Sequence, residues 1–191
     1  MGIQLGFYVD AERCVQCHSC EVACKGTNNV ELGVKWRRVI HVWVGEYPKL
    51  TDRHLSIACQ HCAEPACLEV CPVGAITKRE KDGIVLVDRE TCIGCRSCAE
   101  ACIYHVPQFG NDRTMQKCTF CVERIDAGDE PACVATCPGE ALFFGPLEAL
   151  KQRSGNRVIR QLTGQGNPSL FIGTAANAPQ AEVFLEGILH P

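Results

Sequence analysis

Long apolar runs are absent from this 191-residue chain. No stretch of about twenty apolar residues occurs, which excludes a membrane-spanning helix. The uncharged run from Leu162 to Ala181 is rich in Gly, Pro, Asn and Gln and cannot serve as one. Aromatic residues make up 6% and hydrophobic residues 46%, part of the latter cysteine, so little aliphatic core is available. Metal binding is therefore expected to carry much of the folding free energy and to leave the apo chain unfolded or molten. The opening MGIQLGFYVDAERC lacks a basic region followed by an apolar run, so no secretory signal is expected, and Arg37-Arg38 sits too deep for a twin-arginine signal. A formal charge of -3 gives no reason to expect a nucleic-acid partner. There is no nucleophile elbow, P-loop or dinucleotide fingerprint, and so no site expected to transform a substrate. His41, His54, His61, His105 and His190 form no spaced ligand set, and Trp36 and Trp43 read as core or interface.

Cysteine is abundant. The 16 cysteines fall into four groups: Cys14, Cys17, Cys20, Cys24; Cys59, Cys62, Cys67, Cys71; Cys92, Cys95, Cys98, Cys102; and Cys118, Cys121, Cys133, Cys137. None is left over. A [4Fe–4S] cubane takes four thiolates, so the count suits four of them and the chain reads as an electron carrier. In CxxCxxCxxxC the first three thiolates wrap one cubane within a loop whose N–H groups can point at sulfur. The fourth lies too far along to close the same site, and in two-cluster ferredoxins it ligates the neighbouring cluster.

Three rivals fit less well. Zinc prefers two separated CxxC pairs, and groups one and three are too compact. A disulfide framework suits a small secreted protein. Cys14-Val15-Gln16-Cys17-His18 matches a haem-attachment motif, but Cys20 and Cys24 follow at once in ferredoxin register. Four oxidised clusters at roughly −2 each take the chain to roughly −11. Arg13, Lys25, Lys78, Arg79, Arg96, Lys117 and Arg124 lie near cysteines in sequence and are candidates to offset that charge.

The chain repeats itself. Val9-Asp10-Ala11-Glu12-Arg13-Cys14 resembles Val87-Asp88-Arg89-Glu90-Thr91-Cys92, and Glu64-Pro65-Ala66-Cys67 recurs as Glu130-Pro131-Ala132-Cys133. A duplicated two-cluster unit follows. Secondary structure should be sparse: short strands at Phe7–Val9 and Ile84–Val87, a strand or hairpin over Val34–Val44, and short helices carrying Cys20/Cys24 and Cys98/Cys102. A helix should follow Pro146. Residues after Ser154 look polar and Gly-rich with little to bury.

The ordered set of four groups, with Phe7-Tyr8-Val9-Asp10, Cys59-Gln60-His61-Cys62, Cys92-Ile93-Gly94-Cys95-Arg96 and Phe143-Phe144-Gly145-Pro146, resembles the electron-transfer subunit of the dimethyl sulfoxide reductase family of molybdenum enzymes. The resemblance covers about Gly6 to Pro146 and is strongest to the dimethyl sulfoxide reductase small subunit. It implies an α+β fold of two ferredoxin-like 2[4Fe–4S] modules with crosswise ligation. One module would take 1–57 plus 107–145, with a strand insert at 26–57. The other would take 58–106, leaving 146–191 as an extended, partner-packing C-terminal tail. Carried over, Cys14, Cys17, Cys20 and Cys137 hold one cluster; Cys24, Cys118, Cys121 and Cys133 a second; Cys59, Cys62, Cys67 and Cys102 a third; and Cys71, Cys92, Cys95 and Cys98 a fourth. Nitrate reductases of the family replace the second cysteine of group three with Trp; Cys95 stands here, which favours four cubanes. The family's usual Pro after the last cysteine of group three is Ile103 in this chain.

The resemblance also implies partners. These are a large molybdopterin (Mo or W) catalytic subunit and, commonly, a quinol-linked membrane subunit. Location would then follow the partners: cytoplasmic, membrane-associated, or periplasmic if the chain is co-exported with the catalytic subunit. A subunit of a formate dehydrogenase or hydrogenase-type complex and a free polyferredoxin are the alternatives. The tail argues against the free carrier, which has no use for it.

Overall fold

Phe7 and Val9 point to one side of their strand and Tyr8 to the other, and all three are buried. A strand with apolar side chains on both sides needs cover on both faces. The computed structural model, which describes residues 2–44, 46–153, 157–161 and 166–175, supplies it. In chain order the elements are β1 (Leu5–Asp10), α1 (Ser19–Thr27), β2 (Arg38–Val44), β3 (Thr51–Ile57), α2 (Ala66–Glu69), β4 (Ile76–Lys78), β5 (Val85–Val87), α3 (Ser97–Ala101), β6 (Gln108–Phe109), β7 (Met115–Gln116), α4 (Val122–Asp126), α5 (Ala132–Ala135), β8 (Leu142–Pro146), α6 (Leu147–Lys151), β9 (Arg157–Gln161) and β10 (Leu170–Ala175).

The largest sheet has the order β8-β1-β10-β9. β1 runs antiparallel to β8, with Phe7 opposite Phe144, and parallel to β10, with Phe7 opposite Leu170. On one face Phe7, Val9, Leu142, Leu170 and Ile172 join Phe120, Leu55 and Ile57 in the main core. On the other, Tyr8 and Phe171 pack with Leu150 of α6. Pro146 caps that helix, its fixed φ suiting a helix start.

The expectation of an extended tail from residue 146 is corrected here. Residues 147–151 cover the sheet, and 157–161 and 170–175 belong to it. Leu170, Phe171 and Ile172 are buried, so this segment packs on its own chain. It therefore no longer argues against a free carrier. Residues 176–191 of the expected tail lie outside the described residues.

The insert forms the hairpin β2–β3, in register from Arg38↔Ile57 to Val44↔Thr51, and Val42, Leu55 and Ile57 enter the main core. Ile76, Val85, Cys98 and Met115 form a smaller core between the hairpins β4–β5 and β6–β7. The main core runs through residues of both expected modules, with Cys59, Ile84 and Tyr104 packed among Phe7 and Phe120. α3 stops at Ala101, one residue short of expectation, and Cys102 is extended at φ -92°, ψ 100°.

Candidate metal centres

All four cysteine groups use one backbone device. The residue two after the first cysteine is left-handed in each: Gln16 (φ 55°), His61 (φ 42°), Gly94 (φ 68°) and Phe120 (φ 61°). For three of them, which are not glycine, this conformation costs energy. It turns the N–H back toward the first sulfur. His61 N donates to Cys59 Sγ at 3.5 Å and Phe120 N to Cys118 Sγ at 3.3 Å. Burial raises the Cys14 thiol and the N–H of Gln16 opposes that rise.

In the two compact groups a second left-handed residue, His18 (φ 58°) or Arg96 (φ 68°), caps the following helix. It delivers Cys20 and Cys98 into buried positions. The last cysteines of groups two, three and four share another turn. Gly74, His105 and Glu140 are left-handed, and their N–H groups donate to the carbonyls of Cys71, Cys102 and Cys137 at 3.3, 3.0 and 3.1 Å. Ala141 N then reaches Cys137 Sγ at 3.3 Å. Cys24 differs, being held inside α1.

These loops bring thiols together across the sequence groups. One cavity is lined by Cys14, Cys17, Cys20 and Cys137, and another by Cys71, Cys92, Cys95 and Cys98. Burial pushes Cys24 up to about 12, with Cys133 and Cys121 adding to the rise. Burial also pushes Cys62 up to about 12, helped by Cys59, Cys102 and Cys67. Neighbouring foursomes touch electrostatically: Cys20 with Cys24, Cys59 with Cys118, and Cys98 with Cys67. Exposure differs sharply. Cys24, Cys118, Cys121 and Cys133 are all buried, whereas Cys17 and Cys95 are exposed. The Cys95 thiol is lowered by the Ser97 side chain and N–H, and Cys17 by Ser19 in the same way.

Of the cations expected to offset cluster charge, most are engaged elsewhere. Arg13 pairs with Glu140 and Arg79 with Asp82 and Asp126. Lys25 donates to the carbonyls of Glu31 and Val34, and Arg124 to that of Glu130. Arg96 lies over the Phe109 ring. Lys78 donates to the Cys62 and Ala63 carbonyls. Lys117 is buried, donates to the Val85 and Cys118 carbonyls, and offsets the rise of the Cys67 and Cys102 thiols.

The cation that sequence reasoning missed is Arg37. It is 2% exposed, and burial opposes its charge, but Cys133, Cys118, Cys20 and Cys24 outweigh that and raise its pKa. Its order in the chain carried no signal, because the hairpin register that buries it is a tertiary fact. The reading that the histidines form no ligand set also needs amending. His41 and His54 stand opposite each other across β2–β3, and both reach the Asp52 carboxylate, His54 Nε2 at 3.4 Å.

The residues fit iron–sulfur clusters on three counts. Thiols gather in foursomes, backbone N–H groups already point at sulfur, and the buried Nε and Nη2 of Arg37 and Nε2 of His61 have no hydrogen-bond partner. Buried donors without acceptors call for an acceptor that a bound group would supply.

A family model described as a 4Fe-4S dicluster domain matches residues 51–147. A probable anaerobic dimethyl sulfoxide reductase protein of Escherichia coli (strain K12), YnfG, is 43% identical over 164 residues, 81% of this chain and 80% of its own length. The B subunit of anaerobic dimethyl sulfoxide reductase from the same organism is 41% identical over 165 residues, 82% of this chain and 80% of its own length. A formate dehydrogenase iron-sulfur subunit from Wolinella succinogenes is 38% identical over 181 residues, 83% of this chain and 89% of its own length.

Proposed function

This polypeptide belongs to the iron–sulfur subunits of the dimethyl sulfoxide reductase family, electron-transfer proteins with four [4Fe–4S] clusters, and from that premise we propose how its residues divide the work. Four crosswise sets of thiolates hold the clusters: Cys14, Cys17, Cys20, Cys137; Cys24, Cys118, Cys121, Cys133; Cys59, Cys62, Cys67, Cys102; and Cys71, Cys92, Cys95, Cys98. The convergence of cysteines from distant groups around two shared cavities carries this reading. Bound there, the clusters supply one-electron redox centres.

The sets stand in that order along the wire. The mutual electrostatic influence of Cys20 and Cys24, Cys118 and Cys59, and Cys67 and Cys98 supports it, and exposed Cys17 and Cys95 mark its two ends. Val15 and Ile93, one residue after Cys14 and Cys92, are 65% and 64% exposed, so each end presents an apolar side chain to a partner. Thiolates bind, N–H groups donate to sulfur, and the main core excludes water from the middle of the path.

The chain itself is non-catalytic and relays single electrons between a large molybdopterin subunit and a second redox partner. No helix of the described residues is long and apolar enough to cross a membrane, so any quinol-linked exchange runs through another subunit. The resemblance to a formate dehydrogenase iron–sulfur subunit favours a second reading with the same wire and a different catalytic partner. Anaerobic purification from the native cells, with native mass spectrometry and metal analysis, tests both. A co-purifying large subunit with molybdenum or tungsten is expected, and its identity chooses between them. A lone 191-residue protein with iron and sulfide and no other metal would return the free polyferredoxin.

A further inference from the structure

Arg37 is a buried guanidinium, 2% exposed, with no Asp or Glu in ion-pair range among the described residues. Nη1 donates to Ser56 Oγ at 3.1 Å and to the Ser56 carbonyl at 3.5 Å, and the guanidinium carbon lies 4.5 Å over the Phe7 ring. Ser56 Oγ in turn stands 3.2 Å from Cys20 Sγ. Nε and Nη2 have no partner. Burying a cation without a counter-charge costs several kcal/mol. This cost is tolerable only if negative charge sits close by, and the groups that act on Arg37 as negative charge are the thiolates of Cys133, Cys118, Cys20 and Cys24. Three of these belong to the second ligand set and one to the first.

We propose that Arg37 is a potential-setting residue, buried beside the first two cluster sites, whose unpartnered Nε and Nη2 would donate to the cluster held by Cys24, Cys118, Cys121 and Cys133. The proposal rests on the crosswise sets described above. Ser56 and Phe7 hold the guanidinium in place and leave Nε and Nη2 unpartnered. An electron added to that set increases the negative charge beside a fixed cation, so reduction is favoured and the midpoint potential rises. No bond forms or breaks, and Arg37 neither gains nor loses a proton. Through the Ser56 hydroxyl the same cation is linked to Cys20 and favours reduction of the first set less strongly. Arg37 thus makes the second site a holding point for the electron along the wire.

The test is an EPR-monitored redox titration of the anaerobic holoprotein, wild type, Arg37→Gln and Arg37→Lys, with iron counted in each. In Arg37→Gln one cluster signal should become at least tenfold harder to reduce, a fall of about 59 mV or more for one electron. Arg37→Lys, which keeps the charge, should fall less. Full iron content with unchanged potentials in Arg37→Gln would overturn the proposal, as would an equal fall in both variants. A second readout needs no glutamine variant to fold. Arginine labelled with ¹⁵N should give a nitrogen hyperfine coupling to a reduced cluster in the wild type that disappears in Arg37→Lys, and its absence from the wild type would overturn the proposal. Fewer than four clusters in the wild type would instead strike at the ligand sets themselves.

Discussion

Two of the proposed ligand sets stand at opposite extremes of burial. Around Cys24, Cys118, Cys121 and Cys133 all four thiols are buried, beside Arg37 and beneath the stacked rings of Phe7 and Phe120, whose centroids are 4.3 Å apart. Around Cys71, Cys92, Cys95 and Cys98 one thiol is exposed and the loop carries Ile93 outward. Both use the left-handed turn two residues after a first cysteine, at Phe120 and at Gly94. The ligand loop is therefore the constant part, and its surroundings decide what each centre does. In the proposed wire, burial with a fixed cation suits an interior relay. Exposure beside an apolar side chain makes a docking end.

Removing ligands should separate the two most. Cys118→Ser is expected to open the main core and cost more than half of roughly sixteen irons, whereas Cys95→Ser loses or converts one cluster and keeps roughly three-quarters. Iron analysis of both variants, with equal losses, would break the comparison. Packing should separate them next. Phe120 is 0% exposed and packs on Phe7, His61 and Phe144, so Phe120→Ala should cost about 3–5 kcal/mol. Ile93→Ala should change stability by no more than about 0.5 kcal/mol. Denaturant midpoints of cluster bleaching measure both.

pH sharpens the contrast. Burial holds the Cys24 thiol at about 12 against the usual 9.0. In the metal-free chain, a fold that buries it is favoured below pH 9.0 and loses that contribution as pH rises toward about 12. In the loaded protein the same sulfur is a thiolate, so protons compete with iron and stability falls on acidification. Circular dichroism should show the residual structure of the metal-free chain falling above pH 9.0 and that of the loaded protein falling on acidification; a shared slope would contradict the assignment of buried thiols. The smallest effect is at the exposed end. Ser97→Ala removes the side-chain hydrogen bond that lowers the Cys95 thiol, and should slow alkylation of Cys95 in the apo chain while leaving Cys118 unchanged.

The cysteines, their spacing, the short helix at Cys20 and Cys24 and the strand at Phe7 are legible in the sequence because each is set by neighbours a few residues apart. Arg37 is not, because its burial depends on the register of β2 against β3 and on the Phe7 ring. The role of residues 157–175 is not legible either. β10 is a parallel partner of β1, and pairing between distant strands leaves no local mark beyond the short apolar run Leu170-Phe171-Ile172. Lys117 is half legible: its place beside Cys118 is plain, but its reach to the Val85 carbonyl and its burial are not.

Crosswise ligation is the centre of this account, and one comparison of EPR spectra tests it directly. Reduced holoproteins carrying Cys17→Ser, Cys137→Ser and Cys118→Ser would be recorded beside the wild type. Cys137→Ser should alter the same cluster signal as Cys17→Ser, although 119 residues separate them in the chain and Cys137 shares its sequence group with Cys118. If Cys137→Ser instead leaves the signal altered in Cys17→Ser intact, the two cysteines do not share a cluster and the crosswise sets are wrong.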